Sequence, residues 1–180
     1  MTIENNIKKK RVNSKNKGSS NERKIASILS THLAPLQFIR TPGSGAFVGG
    51  KNFIIRGNLF AKNAMQVFVG DIFPSNEEEV DMSFNFVIEA KHYKTPDSFD
   101  SLFTGKHNVY QWLNEVSTDC VKIGKEGIVI FKWNNTPYYC AVRNHIELPC
   151  EHLILPTGDK ICYFTSLIKF KDFWCTPNQK

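Results

Sequence analysis

Apolar residues Ile25, Ala26, Ile28, Leu29 and Leu33 recur every three or four positions, the period of a helix that buries one face. Ser19 and Glu22 have the Ser-x-x-Glu spacing of a capping box, which predicts that this helix starts at Ser19, and Pro35 closes it. Residues 36–40 then predict a short strand, and residues 41–46, with Pro42, Gly43 and Gly45, a flexible loop. Residues 51–65 carry no clear period; 53–55 suit a strand and 59–65 a helical turn. A strand over 66–73 is closed by Pro74, an acidic turn spans 75–81, and residues 83–93 form the clearest strand of the chain. Residues 98–123 predict one helical stretch in which Val109, Trp112, Leu113 and Val116 share a face. Residues 127–133 and 137–143 predict a hairpin around Asn134-Asn135, followed by a strand near 160–164 and a short helix over 166–174. This order predicts an α/β fold with a central mixed sheet flanked by helices.

Composition narrows the class. A length of 180 residues fits one domain, and 41% hydrophobic residues with 12% aromatics are ordinary for a globular protein. No apolar run approaches the roughly 20 residues needed to cross a bilayer, and the first residues lack the apolar stretch of a secretory signal, so no membrane association and a cytoplasmic location are expected. Cys120, Cys140, Cys150, Cys162 and Cys175 are an odd number with no Cys-x-x-Cys pair, which argues for reduced, mostly buried thiols rather than a zinc ribbon or disulfide framework.

Charge is unevenly placed. Lys8, Lys9, Lys10, Arg11, Lys15, Lys17, Arg23 and Lys24 stand against only Glu4 and Glu22 in the first 24 residues, which accounts for the whole net charge of +6. Residues 1–18 are therefore expected to be a disordered basic arm, with residues 19–180 as a single domain. Such arms hold phosphate backbones by counterion release, so the arm points toward nucleic acid.

The chemistry concentrates on the strand from Phe84 to Tyr93. Alternation puts Phe84, Phe86, Ile88 and Ala90 on an apolar face that must pack on a helix, and Glu89 and Lys91 together on the other. Charges on a central strand require partners, because desolvation costs several kcal/mol per ion. A structural Glu–Lys pair satisfies that need, and so does a metal held by carboxylates with the lysine steering a water. Asp71, 18 residues before Glu89, would converge on it if the two strands form a hairpin around the acidic turn. Two close carboxylates repel unless a cation lies between them, and hard oxygen ligands with open water positions suit Mg²⁺, with Mn²⁺ as a substitute.

Asp71 with Glu89-Ala90-Lys91 resembles the signature of the PD-(D/E)XK nuclease superfamily, and the order helix, three strands, helix, strand resembles its restriction-endonuclease-like core. Within it the chain is most similar to archaeal-type Holliday-junction resolvases and related phage endonucleases. Their helix begins with a Glu-Arg pair, matched by Glu22-Arg23, and their Arg-x-Pro-x-Ser-Gly loop is matched by Arg40-Thr41-Pro42-Gly43-Ser44-Gly45. Gly70 stands where the family's motif usually has Pro, and residues 47–68 are longer than the compact resolvases have.

The resemblance implies a metal-dependent endonuclease acting on DNA, branched DNA above all, as a homodimer. It implies Asp71, Glu89 and Glu22 as metal-holding and catalytic acids, Lys91 as the catalytic lysine, and Arg40, Ser44, Arg23 and Gln111 as substrate contacts. Restriction-type or exonucleolytic cutting of duplex DNA, or a non-catalytic DNA-binding module, are the competing readings. Glu22 as a mere capping residue, an ordinary loop at 41–46, a solvated acidic turn at Glu77, Glu78, Glu79 and Asp81, and core packing for Phe47, Phe53 and Phe60 are the plain alternatives to a role in function.

Overall fold

The computed structural model describes residues 14–42, 69–143, 153–157 and 160–166. The elements are α1 (Ser14–His32), β1 (Phe38–Arg40), β2 (Ile72–Pro74), β3 (Phe86–Tyr93), α2 (Asp100–Phe103), α3 (Asn108–Ile123), β4 (Glu126–Trp133), β5 (Tyr139–Arg143), β6 (Leu153–Thr157) and β7 (Lys160–Ser166). They build one mixed sheet in the order β1-β2-β3-β4-β5-β7-β6. The α/β class and the αβββαβ core expected from the sequence are both present.

Among the described residues, one long helix packs on each face of the central strands of the sheet. On the α1 face, Ile25, Leu29 and Leu33 pack with Phe38, Ile72, Phe84, Ile88, Ile128 and Ile130. On the α3 face, Val109, Trp112, Leu113 and Val116 pack with Val87, Val129 and Phe131. The alternation expected along β3 is realised: its even positions face α1 and Val87 faces α3. Burial on both faces also explains why β4 contains the unbroken apolar run Ile128-Val129-Ile130-Phe131, as strands in the middle of an α/β sheet do.

β2 and β3 are antiparallel with Ile72 opposite Ile88, the hairpin expected around the acidic turn. β3 and β4 are parallel, from Phe86 opposite Glu126 to Tyr93 opposite Trp133. Such a pair needs a long crossover, which α2 and α3 supply. β4 and β5 form the expected antiparallel hairpin. α3 is well bounded: His107 Nδ1 accepts from Val109 N at 3.2 Å, and Gly124 ends it in the left-handed conformation at φ 71°.

Several boundaries differ from expectation. α1 begins at Ser14, so residues 14–18, assigned by composition to the arm, are helical, and Ser19 and Glu22 lie within the helix rather than at its cap. The reason is tertiary: Lys17 Nζ donates to Asn134 Oδ1 at 3.2 Å and Tyr138 Oη to Asn21 Oδ1 at 2.9 Å, both across 117 residues of sequence. β2 comprises only residues 72–74, so Asp71 immediately precedes a strand instead of ending one; residues 66–68 lie outside the described part.

The single helical stretch predicted over 98–123 is two helices. Gly105 at φ 69° turns the chain, and Asp97 restarts it by accepting from Asn108 N at 2.8 Å and Asn108 Nδ2 at 3.0 Å. β3 starts at Phe86 rather than at residue 83, and β6 was not foreseen. Ser166 closes β7, and the rest of the predicted 166–174 helix lies outside the described residues, as do Ser44, Phe47, Phe53 and Phe60. Cys120 and Cys140 are buried. No helix among the described residues is long and apolar enough to cross a membrane.

Candidate active site

Asp71 is stitched between two strands by its backbone and its side chain. Its N–H donates to Ile88 O at 2.7 Å and its carbonyl accepts from Thr41 N at 2.9 Å. Its Oδ2 accepts from Ala90 N at 2.9 Å, which holds the carboxylate against the β3 backbone between Glu89 and Lys91. The chain reaches this position through Gly70, whose φ is 84°. A Cβ there would stand 2.7 Å from Ile88 O and 2.8 Å from Val87 Cγ1. Proline, fixed near −65°, cannot adopt that φ, which accounts for glycine where the resembled motif has proline.

Glu89 and Lys91, two positions apart on β3, face the same side, and Lys91 Nζ lies 2.7 Å from Glu89 Oε1. Their side chains are each about one-fifth exposed, so the pair sits at the rim of the sheet's α3 face rather than in bulk water. Lys91 Nζ is also 3.5 Å from Glu115 Oε2, and Gln111 Nε2 donates to Glu115 Oε1 at 2.9 Å one turn away on α3. Gln111 is thus joined to Lys91 through Glu115.

On the other side of the sheet α1 contributes Glu22, which is buried and ion-paired with Arg40 Nε at the end of β1. Arg23, next along α1, is exposed and does not share that inward direction. Asp71, Glu89, Lys91, Glu22, Arg40 and, through Glu115, Gln111 are therefore brought into one neighbourhood. Arg23 is not drawn into it, and Ser44 lies outside the described residues.

The electrostatics record crowding of negative charge. Burial, then the Glu89 charge, push the Asp71 carboxyl up to about 8, with Glu22 adding and the Ala90 amide and Lys91 opposing. Burial also raises Glu89, Lys91 opposes, and Glu115 and Asp119 add to the rise. Burial by itself would lower Lys91, but the charges of Glu89, Glu115 and Asp71 outweigh it and hold the ammonium above its ordinary range.

Glu115 and Asp119 were missed by sequence reasoning. They lie four residues apart, Glu115 four beyond Gln111, so all three follow one line along α3. That spacing was visible in the sequence, but which strand the line would face was not. The acidic turn behaves as its plain alternative: Glu78, Glu79 and Asp81 are exposed, and Glu77 accepts from Phe84 N and lies 3.9 Å from Lys125.

Asp71, Glu89 and Lys91 on a hairpin between two helices is the arrangement that the D…E-x-K pattern anticipates. Residues 13–154 match the family model described as "Phage putative PDDEXK endonuclease". The chain belongs to this family. Membership in a PDDEXK endonuclease family makes it a nuclease by kinship, and its αβββαβ core has Glu89 and Lys91 on β3 with Asp71 just before β2.

A comparison with curated proteins finds no match. Among solved structures the chain is similar to Archaeoglobus fulgidus Hjc, described as a Holliday junction resolvase from an archaeal hyperthermophile. Identity is 15%, 86% of this chain and 87% of that one are covered, and the TM-score is 0.38. At that TM-score the likeness carries no argument about fold or substrate.

Proposed function

We propose that the protein is a divalent-metal-dependent endonuclease that hydrolyses DNA phosphodiester bonds, with Asp71, Glu89 and Lys91 at its centre. The observation that carries this reading is that the buried Asp71 carboxylate is held on Ala90 N, between the partly buried Glu89 and Lys91 on β3, where burial and neighbouring acids raise both carboxyls beside a lysine that stays charged. Such repulsion is what a cation relieves. No group of three or more His, Cys, Asp or Glu residues among the described ones forms a ready metal cage. Two carboxylates nonetheless fit Mg²⁺ or Mn²⁺, since Mg²⁺ keeps several waters and is commonly held by one or two carboxylates. Asp71 and Glu89 would hold the ion and Glu22 would complete the site from α1.

A bound divalent ion supplies Lewis acidity toward the phosphoryl group and acidifies water. The chain's own groups do the rest. Lys91, kept as an ammonium, orients a water and offsets charge on the phosphate rather than accepting a proton. Glu115 and Glu89 fix the direction of its Nζ, and Gln111 fixes Glu115. Arg40 is directed by Glu22 and contacts the phosphate from the β1 side, with Ser44 and Arg23 as further substrate contacts.

For substrate we propose branched DNA of the four-way-junction type, on the resemblance of Arg40-Thr41-Pro42-Gly43-Ser44-Gly45 to the resolvase loop. Cutting two strands symmetrically then calls for a homodimer. An enzyme of a phage family acting on DNA would work in the cytoplasm, that of an infected cell included. The test incubates labelled four-way junction, linear duplex and single-stranded DNA with the protein in Mg²⁺ or chelator. Junction cutting that needs Mg²⁺ and is lost in Lys91→Ala is expected. Equal cutting of duplex and junction would remove the junction assignment, and undiminished cutting by Lys91→Ala would remove the site.

A further inference from the structure

On the face of β3 opposite Glu89 and Lys91, a cleft of about 280 Å³ opens between the first half of α1 and the ends of β3 and β4. Its chemistry is one-sided. Lys17 and Lys24 enter from α1, Lys132 from β4 and His92 from β3, with Asn21 and Tyr138 also lining it, and among the described residues no carboxylate lines it. His92 adjoins Lys91 in sequence, but neighbouring residues of a strand point to opposite faces, so the cleft lies across β3 from Glu89 and Lys91, and Glu22 of the same helix is not among its lining residues.

Among the described residues, the lining is organised by contacts with neutral partners that leave its positive charge uncompensated. Asn134 Oδ1 accepts from Lys17 Nζ at 3.2 Å and lies 3.1 Å from His92 Nε2, which ties α1 to the β4–β5 turn. Tyr138 Oη donates to Asn21 Oδ1 at 2.9 Å, and Lys132 Nζ stands 5.0 Å over the Tyr138 ring. None of these partners carries negative charge. Burial, followed by the Lys17 charge, pulls the His92 pKa down, as expected where cations converge.

Three ammonium groups drawn to one cleft repel one another unless an anion joins them. The cleft is open and lined by cations and neutral polar groups, a chemistry that suits an anionic group of a longer chain. Lys24 and Ser20 are exposed at its mouth, so the chain can run on past it. The run Lys8-Lys9-Lys10-Arg11 lies only a few residues before α1 in sequence, and it adds charge of the same sign.

We infer that this cleft, with Lys17, Lys24 and Lys132, is a second DNA-backbone phosphate site, distinct from the scissile-phosphate centre and gripping the substrate on the α1 side. The inference rests on the reading of the protein as a DNA nuclease. It adds that DNA is held on both sides of β3, by phosphates that are not cut.

The test replaces Lys17, Lys24 and Lys132 with Gln, singly and together, in the full chain. Binding to a labelled duplex and a four-way junction is followed by fluorescence anisotropy without divalent metal, from low to high salt, with melting temperature as the fold control. Each lysine that neutralises a phosphate contributes about 0.9 to the slope of log K against log salt. The triple variant is expected to lose roughly 2–3 units of slope and on the order of 10²-fold affinity at 0.1 M salt. Lys106→Gln, an exposed lysine outside the cleft, is expected to change the slope little.

Binding by the triple variant with unchanged slope would overturn the inference, as would an equal loss per charge for Lys106→Gln. If the triple variant melts early, the single variants carry the same test. Cleavage is scored separately: a wild type that cuts DNA while the cleft variants bind normally sinks the cleft alone. A wild type that binds DNA in proportion to the cleft's lysines but cuts none sinks the nuclease reading alone. A wild type that neither binds nor cuts DNA sinks both.

Discussion

Gly70→Ala is the substitution most tightly constrained by the geometry. Gly70 has φ 84°, and its missing Cβ would fall 2.7 Å from Ile88 O, a backbone atom of the strand that carries Glu89 and Lys91. Forcing alanine into a left-handed conformation costs about 1–2 kcal/mol. Forcing a methyl group against a backbone carbonyl that cannot rotate away adds about 1–3 kcal/mol. The sum, about 2–5 kcal/mol, corresponds to a fall in melting temperature of roughly 4–20 °C for a chain of this size. Ile88 O is also the acceptor of the Asp71 N–H at 2.7 Å, so relief of the clash moves Asp71 off β3 and loosens its Oδ2 contact with Ala90 N. A displacement near 1 Å at a reacting centre can cost about 10²-fold in rate.

Gly124→Ala is the matched control. Gly124 has a similar φ of 71° but nothing within 4 Å of the added Cβ, so it carries the conformational cost without the clash. Urea unfolding of both variants and cleavage of a labelled junction measure the two effects. Gly70→Ala should lose clearly more stability than Gly124→Ala and should lose cleavage even where it remains folded. Equal stabilities of the two variants, or wild-type cleavage by folded Gly70→Ala, would refute the reasoning.

Further outcomes follow from the same geometry. The folded state holds the Asp71 proton up to about pH 8, whereas an unfolded Asp releases it near 3.8, so the metal-free protein loses stability as pH rises through that window. Differential scanning fluorimetry should show a higher melting point at pH 5 than at pH 8, and a larger gain from Mg²⁺ at pH 8; Asp71→Asn should flatten both, and a flat wild-type profile would count against the pair. Glu115→Gln removes a charge 3.5 Å from Lys91 and should lower the alkaline limb of the cleavage pH profile while changing stability by less than about 0.5 kcal/mol; an unshifted profile would separate Glu115 from the site. Leu113, fully buried between α3 and the sheet, should cost about 2–5 kcal/mol on substitution by Ala in chemical denaturation, with DNA affinity of the folded fraction unchanged.

What the sequence determined by itself is what repeats locally. Alternation along residues 84–93 placed Ile88 and Ala90 toward one helix and Glu89 with Lys91 toward the other, and the 3–4 period of Val109, Trp112, Leu113 and Val116 identified the buried face of α3. Side-chain direction is a property of the backbone period, so those assignments needed no third dimension. Element limits were less legible because they depend on distant partners. Residues 14–18 look like tail by composition, yet they are helical where Lys17 and Asn21 meet Asn134 and Tyr138.

The Asp71, Glu89 and Lys91 pattern was readable, whereas its setting was decided by tertiary structure. The parallel β3–β4 pairing places α3 over β3, and only that brings Glu115 to Lys91. The packing of α1 on the opposite face brings Glu22 to Arg40 and opens the lysine cleft beside His92 and Lys132. Charges separated by tens of residues act on one another through distance in space, and spacing along the chain carries no record of it.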